Sequence, residues 1–213
     1  MTRLLPGILA MAAIVVASNI LVQFLILDGL LTWGAFTYPL AFLVTDVMNR
    51  LYGPTQARKV VVAGLVTGII CSLIGTQIVL ESEFGPYNAV ALRVAIGSAT
   101  AFAVAQLLDI TVFNTLRDGS WWKAPLGSTL VSSTVDTIIF FTIAFGAVFN
   151  GISAAADSEI IWAQDPAPFL LGGPEAPLWI TLAVADWGVK LAIALIALVP
   201  FRLIVGRFAA QTA

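Results

Sequence analysis

The chain has 213 residues, 60% of them hydrophobic and only 10% charged, with a formal net charge of −2. Soluble domains carry about 25% charged residues, and a mean hydropathy of +0.99 leaves more apolar surface than a soluble core of this volume can hide, so lipid is the solvent for most of it. A single cysteine, Cys71 in an apolar run, and the lack of histidine exclude a disulfide framework, a Cys/His metal site and imidazole acid–base chemistry.

Hydropathy predicts six segments close to the length of about 20 residues that crosses a bilayer. The first, Pro6–Leu27, follows Arg3 and is too long for a signal-peptide core, so it reads as a retained helix; Asn19 and Gln23 stand four apart on it. The second, Thr32–Arg50, contains Gly34 and Pro39, and the proline removes a backbone hydrogen bond and should kink or interrupt the helix. Its far end carries a polar tip of Thr45, Asp46 and Asn49. The third, Lys59–Leu80, is apolar, whereas the fourth, Ala89–Leu116, holds Arg93, Gln106 and Asp109. In the fifth, Gly127–Asn150, Ser128, Ser132 and Asp136 fall at i, i+4 and i+8 on one stripe, a pattern that also suits close helix packing. An acidic stretch rich in Ala, Gly and Pro, Gly151–Pro177, is expected to lack regular structure. The sixth, Leu178–Val205, places Asp186 and Lys190 four apart on one face.

These segments imply an all-α integral membrane protein, one six-helix transmembrane domain covering residues 1–213. The apolar runs do not alternate with period two, so they are not barrel strands. A 3+3 arrangement would be an inverted repeat matching the second segment to the fifth, with Asp46 and Asp136 in loosely corresponding places.

Orientation follows from the basic residues. Arg3, Arg50, Arg58, Lys59, Arg117, Lys123, Arg202 and Arg207 all fall on one side of the predicted spans. The opposite loops hold Asp28, Glu81, Glu83, Asp157, Glu159, Asp165 and Glu175 and no base. The positive-inside rule then puts both termini in the cytoplasm of an inner-membrane protein.

Six charged residues remain inside the predicted helices: Asp46, Asp109, Asp136, Asp186, Arg93 and Lys190. Each costs at least about 2.5–3.5 kcal/mol at mid-bilayer, so they should face the bundle interior, pair, or line a wet cavity. From the helical rise, Asp46 lies about 6 Å, Asp109 about 10 Å and Asp136 about 13 Å from the cytoplasmic ends of their segments. Asp186 and Lys190 can neutralise each other, as a structural pair or in a substrate or coupling role. Arg93, near the external end, could snorkel to Glu81 or Glu83, or meet substrate. Four acids against two bases leave a surplus that a proton or a cationic substrate would balance, as in a proton-coupled carrier.

What is absent narrows the class further. No G-x-x-x-x-G-K-[ST], H-E-x-x-H or G-x-S-x-G occurs, and no aspartyl-protease motif surrounds Asp46, Asp109 or Asp136. An enzyme is therefore not expected, nor a cofactor, a metal or a nucleic-acid partner.

One ordered set of residues runs along most of the chain. It comprises Ser18-Asn19-Ile20, Tyr38-Pro39-Leu40 with Phe42, T-D-x-x-N-x-x-Y-G from Thr45 to Gly53, and Ala57-Arg58. It continues through Arg93, Ser98, Ala101-Phe102, Gln106 to Asp109 and Phe113, then Gly127-Ser128-Thr129, Val135-Asp136-Thr137, Phe140, Lys190 and Pro200. The set resembles the queuosine-precursor transporter family, also called the vitamin-uptake-like (VUT) family. Many members carry an acid just before the x-Y-G where this chain has Arg50, so no acidic role carries over to that position. The resemblance implies uptake of 7-deazaguanines such as preQ0, preQ1 or queuine. A carboxylate can accept two hydrogen bonds from the N1–H and amine edge of such a ring, and aromatic faces can stack on it.

The expected substrate-binding set is Asp136, Asp109, Asp46, Asn49, Gln106, Ser132, Ser128, Asn19 and Arg93, the aspartates in that order for the ring edge. Asp186 and Lys190 form a coupling or structural ion pair. Alternatives to a secondary carrier are the substrate-binding subunit of an energy-coupling-factor importer, a non-transporting scaffold and an intramembrane enzyme. The lipid bilayer and a nucleobase-like solute are the expected partners, and a homodimer is compatible with the sequence.

Overall fold

A computed structural model describes residues 3–21, 24–27, 30–82, 85–151 and 153–212. Its helices are α1 (Leu5–Leu21), α2 (Gly34–Thr37), α3 (Leu40–Tyr52), α4 (Pro54–Gly75), α5 (Leu92–Leu116), α6 (Lys123–Phe145), α7 (Ala154–Ser158) and α8 (Leu178–Thr212). Short antiparallel pairs lie between them: β1 (Leu25–Ile26) with β2 (Leu31–Thr32), β3 (Val79–Ser82) with β4 (Gly85–Asn88), and β5 (Pro166–Pro168) with β6 (Glu175–Pro177). Among the described residues, four helices are long and apolar enough to cross a membrane: Pro54–Gly75, Leu92–Leu116, Lys123–Phe145 and Leu178–Phe208, with Leu5–Leu21 a shorter apolar helix.

The bundle is built inside out relative to a soluble protein. Helix α4 buries Ala57, Val60, Gly64, Ser72 and Gly75 at helical spacing, while Val62, Val66, Ile70 and Leu73 are exposed on its other face. Small inward residues let backbones approach where lipid supplies no hydrophobic drive between helices. The same holds for α5 and α6, which pack antiparallel along their length. A Cβ on Gly97 would sit 3.2 Å from the Phe140 carbonyl oxygen, and one on Gly127 would sit 2.6 Å from a Leu116 methyl.

The second predicted segment does not form one helix. It divides into α2 and the 13-residue α3 around Tyr38 and Pro39. Pro39 has no N–H to donate, and the next bonds tighten to i→i−3, from Ala41 N to Tyr38 O (3.0 Å) and from Phe42 N to Pro39 O (3.2 Å). Short α3 packs against α1, α4, α5 and α8, so its polar tip lies inside the bundle. It stops at Gly53, whose φ of +82° an L side chain rarely adopts, and α4 restarts at once with Pro54 in its first turn. This is the structural use of the Y-G pair and the proline that follows it.

At one end of the bundle the basic residues gather. Arg50 donates to the Arg117 carbonyl (2.9 Å), Arg117 donates to that of Arg50 (3.0 Å), and Arg202 stacks over Trp121 at 4.7 Å. At the other end, residues 153–177 hold short regular elements, contrary to expectation. Ser153 caps α7 by accepting from Ala156 N, Asp157 accepts from Gly151 N at 2.7 Å, and buried Ile160 and Ala163 pack with Phe141 and Phe145. Two apolar anchors and a capped turn are enough to hold an otherwise proline-rich stretch.

Candidate functional site

Helix periodicity turns the polar faces of α3, α5, α6 and α8 toward one another, and two buried clusters result. In the first, Lys190 on α8 donates to Asp136 on α6 (2.8 Å) and contacts Asp186 one turn earlier on its own helix (2.6 Å). Its ammonium also donates to Thr137 (3.0 Å), and Tyr38 donates its phenol hydrogen to the second oxygen of Asp136 (2.9 Å). Asp136 is 2% and Lys190 3% exposed. The expected Asp186–Lys190 pair is thus part of a triad, and both Asp136 oxygens are engaged.

The second cluster lies nearer the basic end. Asp46 on α3 and Asp109 on α5 converge on one stripe of α6, meeting hydroxyls a single turn apart. Ser128 and Thr129 meet the two oxygens of Asp46 (3.2 and 3.5 Å), and Ser132 meets Oδ1 of Asp109 (3.0 Å). Thr45 donates to Oε1 of Gln106. One turn onward Asn49 donates to the Ile110 carbonyl (3.3 Å), where Asn114 also donates (2.6 Å). Asp46, Asp109, Gln106, Ser128 and Ser132 are at most 2% exposed. Among the described residues no Lys or Arg pairs with Asp46 or Asp109, and two buried side-chain atoms lack a partner, Asp109 Oδ2 and Gln106 Nε2. An unsatisfied buried polar group costs about 1–3 kcal/mol, so these two atoms set this cluster apart from the fully paired triad.

Arg93 belongs to neither cluster. It is 2% exposed, and its guanidinium donates to the Ile143 and Gly146 carbonyls, to Asn150 and to Asp157, the last at 3.1 Å. It caps the end of α6, and its acidic partner is Asp157 rather than Glu81; Glu83 lies outside the described residues. Asn19 also stands apart, on α1, where it accepts from Ser72 at 3.4 Å. Its expected partner on that face, Gln23, is outside the described residues.

Two crevices flank the clusters. One is a narrow crevice between α1, α4 and α5, lined by Ser18, Asn19, Tyr38, Ser72, Ser98 and Phe102 among others. The second, narrower still, lies between α3, α6 and α8 and reaches Asp46 past Pro39, Pro125, Thr129, Leu198 and Phe201. Neighbouring residues Tyr38 and Pro39 therefore face different crevices. Tyr38, Thr129 and Thr137 were absent from the expected site. All three stand in the ordered residue set that carries the family resemblance, and Tyr38 also adjoins a helix-breaking proline.

The family model described as "Putative vitamin uptake transporter" matches residues 32–205, a stretch that contains both clusters. A Haemophilus influenzae protein named "Probable queuosine precursor transporter" is 34% identical over 176 residues, which cover 79% of this chain and 66% of that protein, just under two thirds. The Escherichia coli "Queuosine precursor transporter" is 32% identical over 196 residues, 88% of this chain and 79% of that one. A Bacillus subtilis "Probable queuosine precursor transporter" is 31% identical over 185 residues, 78% and 68% of the two chains. No solved structure matches.

Proposed function

We propose, on the premise that this chain belongs to the vitamin uptake transporter family, that it is an importer of queuosine precursors. The observation that carries the reading is the match itself. It runs through residues 32–205 and so takes in every buried charge of both clusters, and three relatives bear the name of that transport activity.

In this reading α1 and the broken α2–α3 pair complete six crossings with the four long helices. The basic end faces the cytoplasm. The solute is a 7-deazaguanine such as preQ0, preQ1 or queuine. It enters from the acidic end through the crevice between α1, α4 and α5, and the edge-to-face pair of Tyr38 and Phe102 parts to let it by. Neutral groups there, Asn19, Ser18 and Ser72, hydrate or bond a polar heterocycle without holding it tightly. Tyr38 then yields Asp136 to the ring edge, while Lys190 and Asp186 keep the charge of the site balanced.

Uptake of labelled preQ0, preQ1 and queuine by a precursor-deficient strain making this chain tests the reading. Saturable uptake, suppressed by the unlabelled base and cut at least tenfold by Asp136→Asn, is the expected result. No uptake of any of the three, with the protein present in the membrane, would sink it. Uptake that appears only when a coupling ATPase is supplied would instead establish the substrate-binding-subunit alternative.

A further inference from the structure

The interior holds more negative charge than its bases offset. Lys190 serves Asp136 and Asp186 together, and Arg93 is engaged by Asp157. Asp46 and Asp109 are left side by side, 2% and 0% exposed, with hydroxyls as their other neighbours. Two ionised carboxylates in contact without a cation repel each other strongly in a medium of low dielectric.

A count of hydrogens leads to the same place. Ser132 Oγ lies 2.7 Å from the Ser128 carbonyl oxygen and 3.0 Å from Asp109 Oδ1. Ser128 Oγ lies 3.3 Å from the Pro125 carbonyl and 3.2 Å from Asp46 Oδ1. A hydroxyl owns one hydrogen, and a carbonyl can only accept. Each serine therefore shares its one hydrogen between a carbonyl and a carboxyl oxygen, so the hydroxyls offset little of the charge on either acid. Asp109 Oδ2 is left without a donor, which a hydrogen held by the pair of carboxyls would supply. A metal ion fits less well, because it needs several free oxygen lone pairs. Among the described residues no group of three His, Cys, Asp or Glu side chains is placed to hold a metal ion.

We infer that Asp46 and Asp109 form a carboxyl pair that carries the transported proton, separate from the Asp136–Lys190 site and emptied toward the basic end through the crevice that reaches Asp46. The inference rests on the chain being a carrier. The surrounding elements bring few competing charges. Helix α6 contributes Asp136 and, at its start, exposed Lys123; α8 contributes Asp186, Lys190 and, toward its end, Arg202 and exposed Arg207; Asp136, Asp186 and Lys190 are bound in the triad. Arg50 on α3 and Arg117 after α5 donate to each other's carbonyls, Arg202 on α8 covers Trp121, and α4 carries Arg58 and Lys59 in its first turns. Helix α1 supplies no titratable side chain.

The test uses the purified full chain in lipid vesicles. Infrared spectra of the substrate-free protein at neutral pH should show a protonated-carboxyl band that shifts in Asp46→Asn and in Asp109→Asn and is lost when both are changed. Absence of the band, or its survival unshifted in the double variant, overturns the inference whatever the substrate proves to be. With labelled preQ1 outside the vesicles, a pH gradient (inside alkaline) should drive its accumulation by the wild type, with protons entering alongside as read by a trapped dye. The asparagine variants should lose accumulation at least tenfold more than they lose exchange of labelled for unlabelled preQ1. Equal loss of both would reassign the pair to substrate binding. No exchange by the wild type would count against the substrate reading alone, since the infrared band still decides the pair.

Discussion

Without Lys190, Asp136 and Asp186 would be left in the bundle with no base. Breaking a buried ion pair by removing one partner costs about 3–5 kcal/mol, so Lys190→Met should lower the thermal midpoint in detergent sharply. Adding Asp136→Asn to that variant should recover part of the loss, because one uncompensated charge disappears with it. Arg93 gives a second, independent case. Arg93→Lys keeps the charge opposite Asp157 but cannot reach the Ile143 and Gly146 carbonyls together, so it should recover less than half of the stability lost in Arg93→Ala. Both arginine variants that fold should retain uptake, and loss of uptake in a stable Arg93→Lys protein would show that Arg93 does more than cap α6. The Asp186–Lys190 pair was legible in the sequence, since four residues of helix always bring two side chains to one face. The third member, Asp136, was not, because its approach depends on how α6 lies against α8. Nor was Asp157 for Arg93, which is 64 residues away and placed by a folded loop.

At the level of elements, α5 and α6 are held close by residues that have no side chain to separate them. Gly97→Leu must push a side chain toward the Phe140 carbonyl, and such overpacking costs about 1–3 kcal/mol. Gly188→Leu on α8, where a Cβ meets nothing within 4 Å, should be neutral or mildly stabilising by the same thermal measurement. Composition alone was enough to locate the four long helices, because twenty apolar residues have few other solutions. The division of the second segment was signalled by Pro39, a residue that cannot donate. The hairpins flanking it and the short elements at 153–177 carried no comparable signal. Their strands are two to four residues long and depend on apolar anchors supplied from elsewhere in the bundle.

For the molecule as a whole, the orientation makes a prediction that does not depend on transport. With half-buried Cys71 changed to alanine, a cysteine at exposed Gly172 should react with an impermeant maleimide added to intact cells. One at exposed Ser120 should react only after the membrane is opened. The reverse pattern would invert the assignment of the basic end. The two crevices add a consequence of another kind. Tyr38 lines one and Pro39 the other, so adjacent residues of the break between α2 and α3 reach crevices on different sides of α3. Water entering both would carry the potential of each side inward and steepen the fall of the membrane voltage near this turn. A unit charge moving past it would then gain a larger share of the roughly 2.3 kcal/mol available per 100 mV than the same displacement gives in unbroken hydrocarbon.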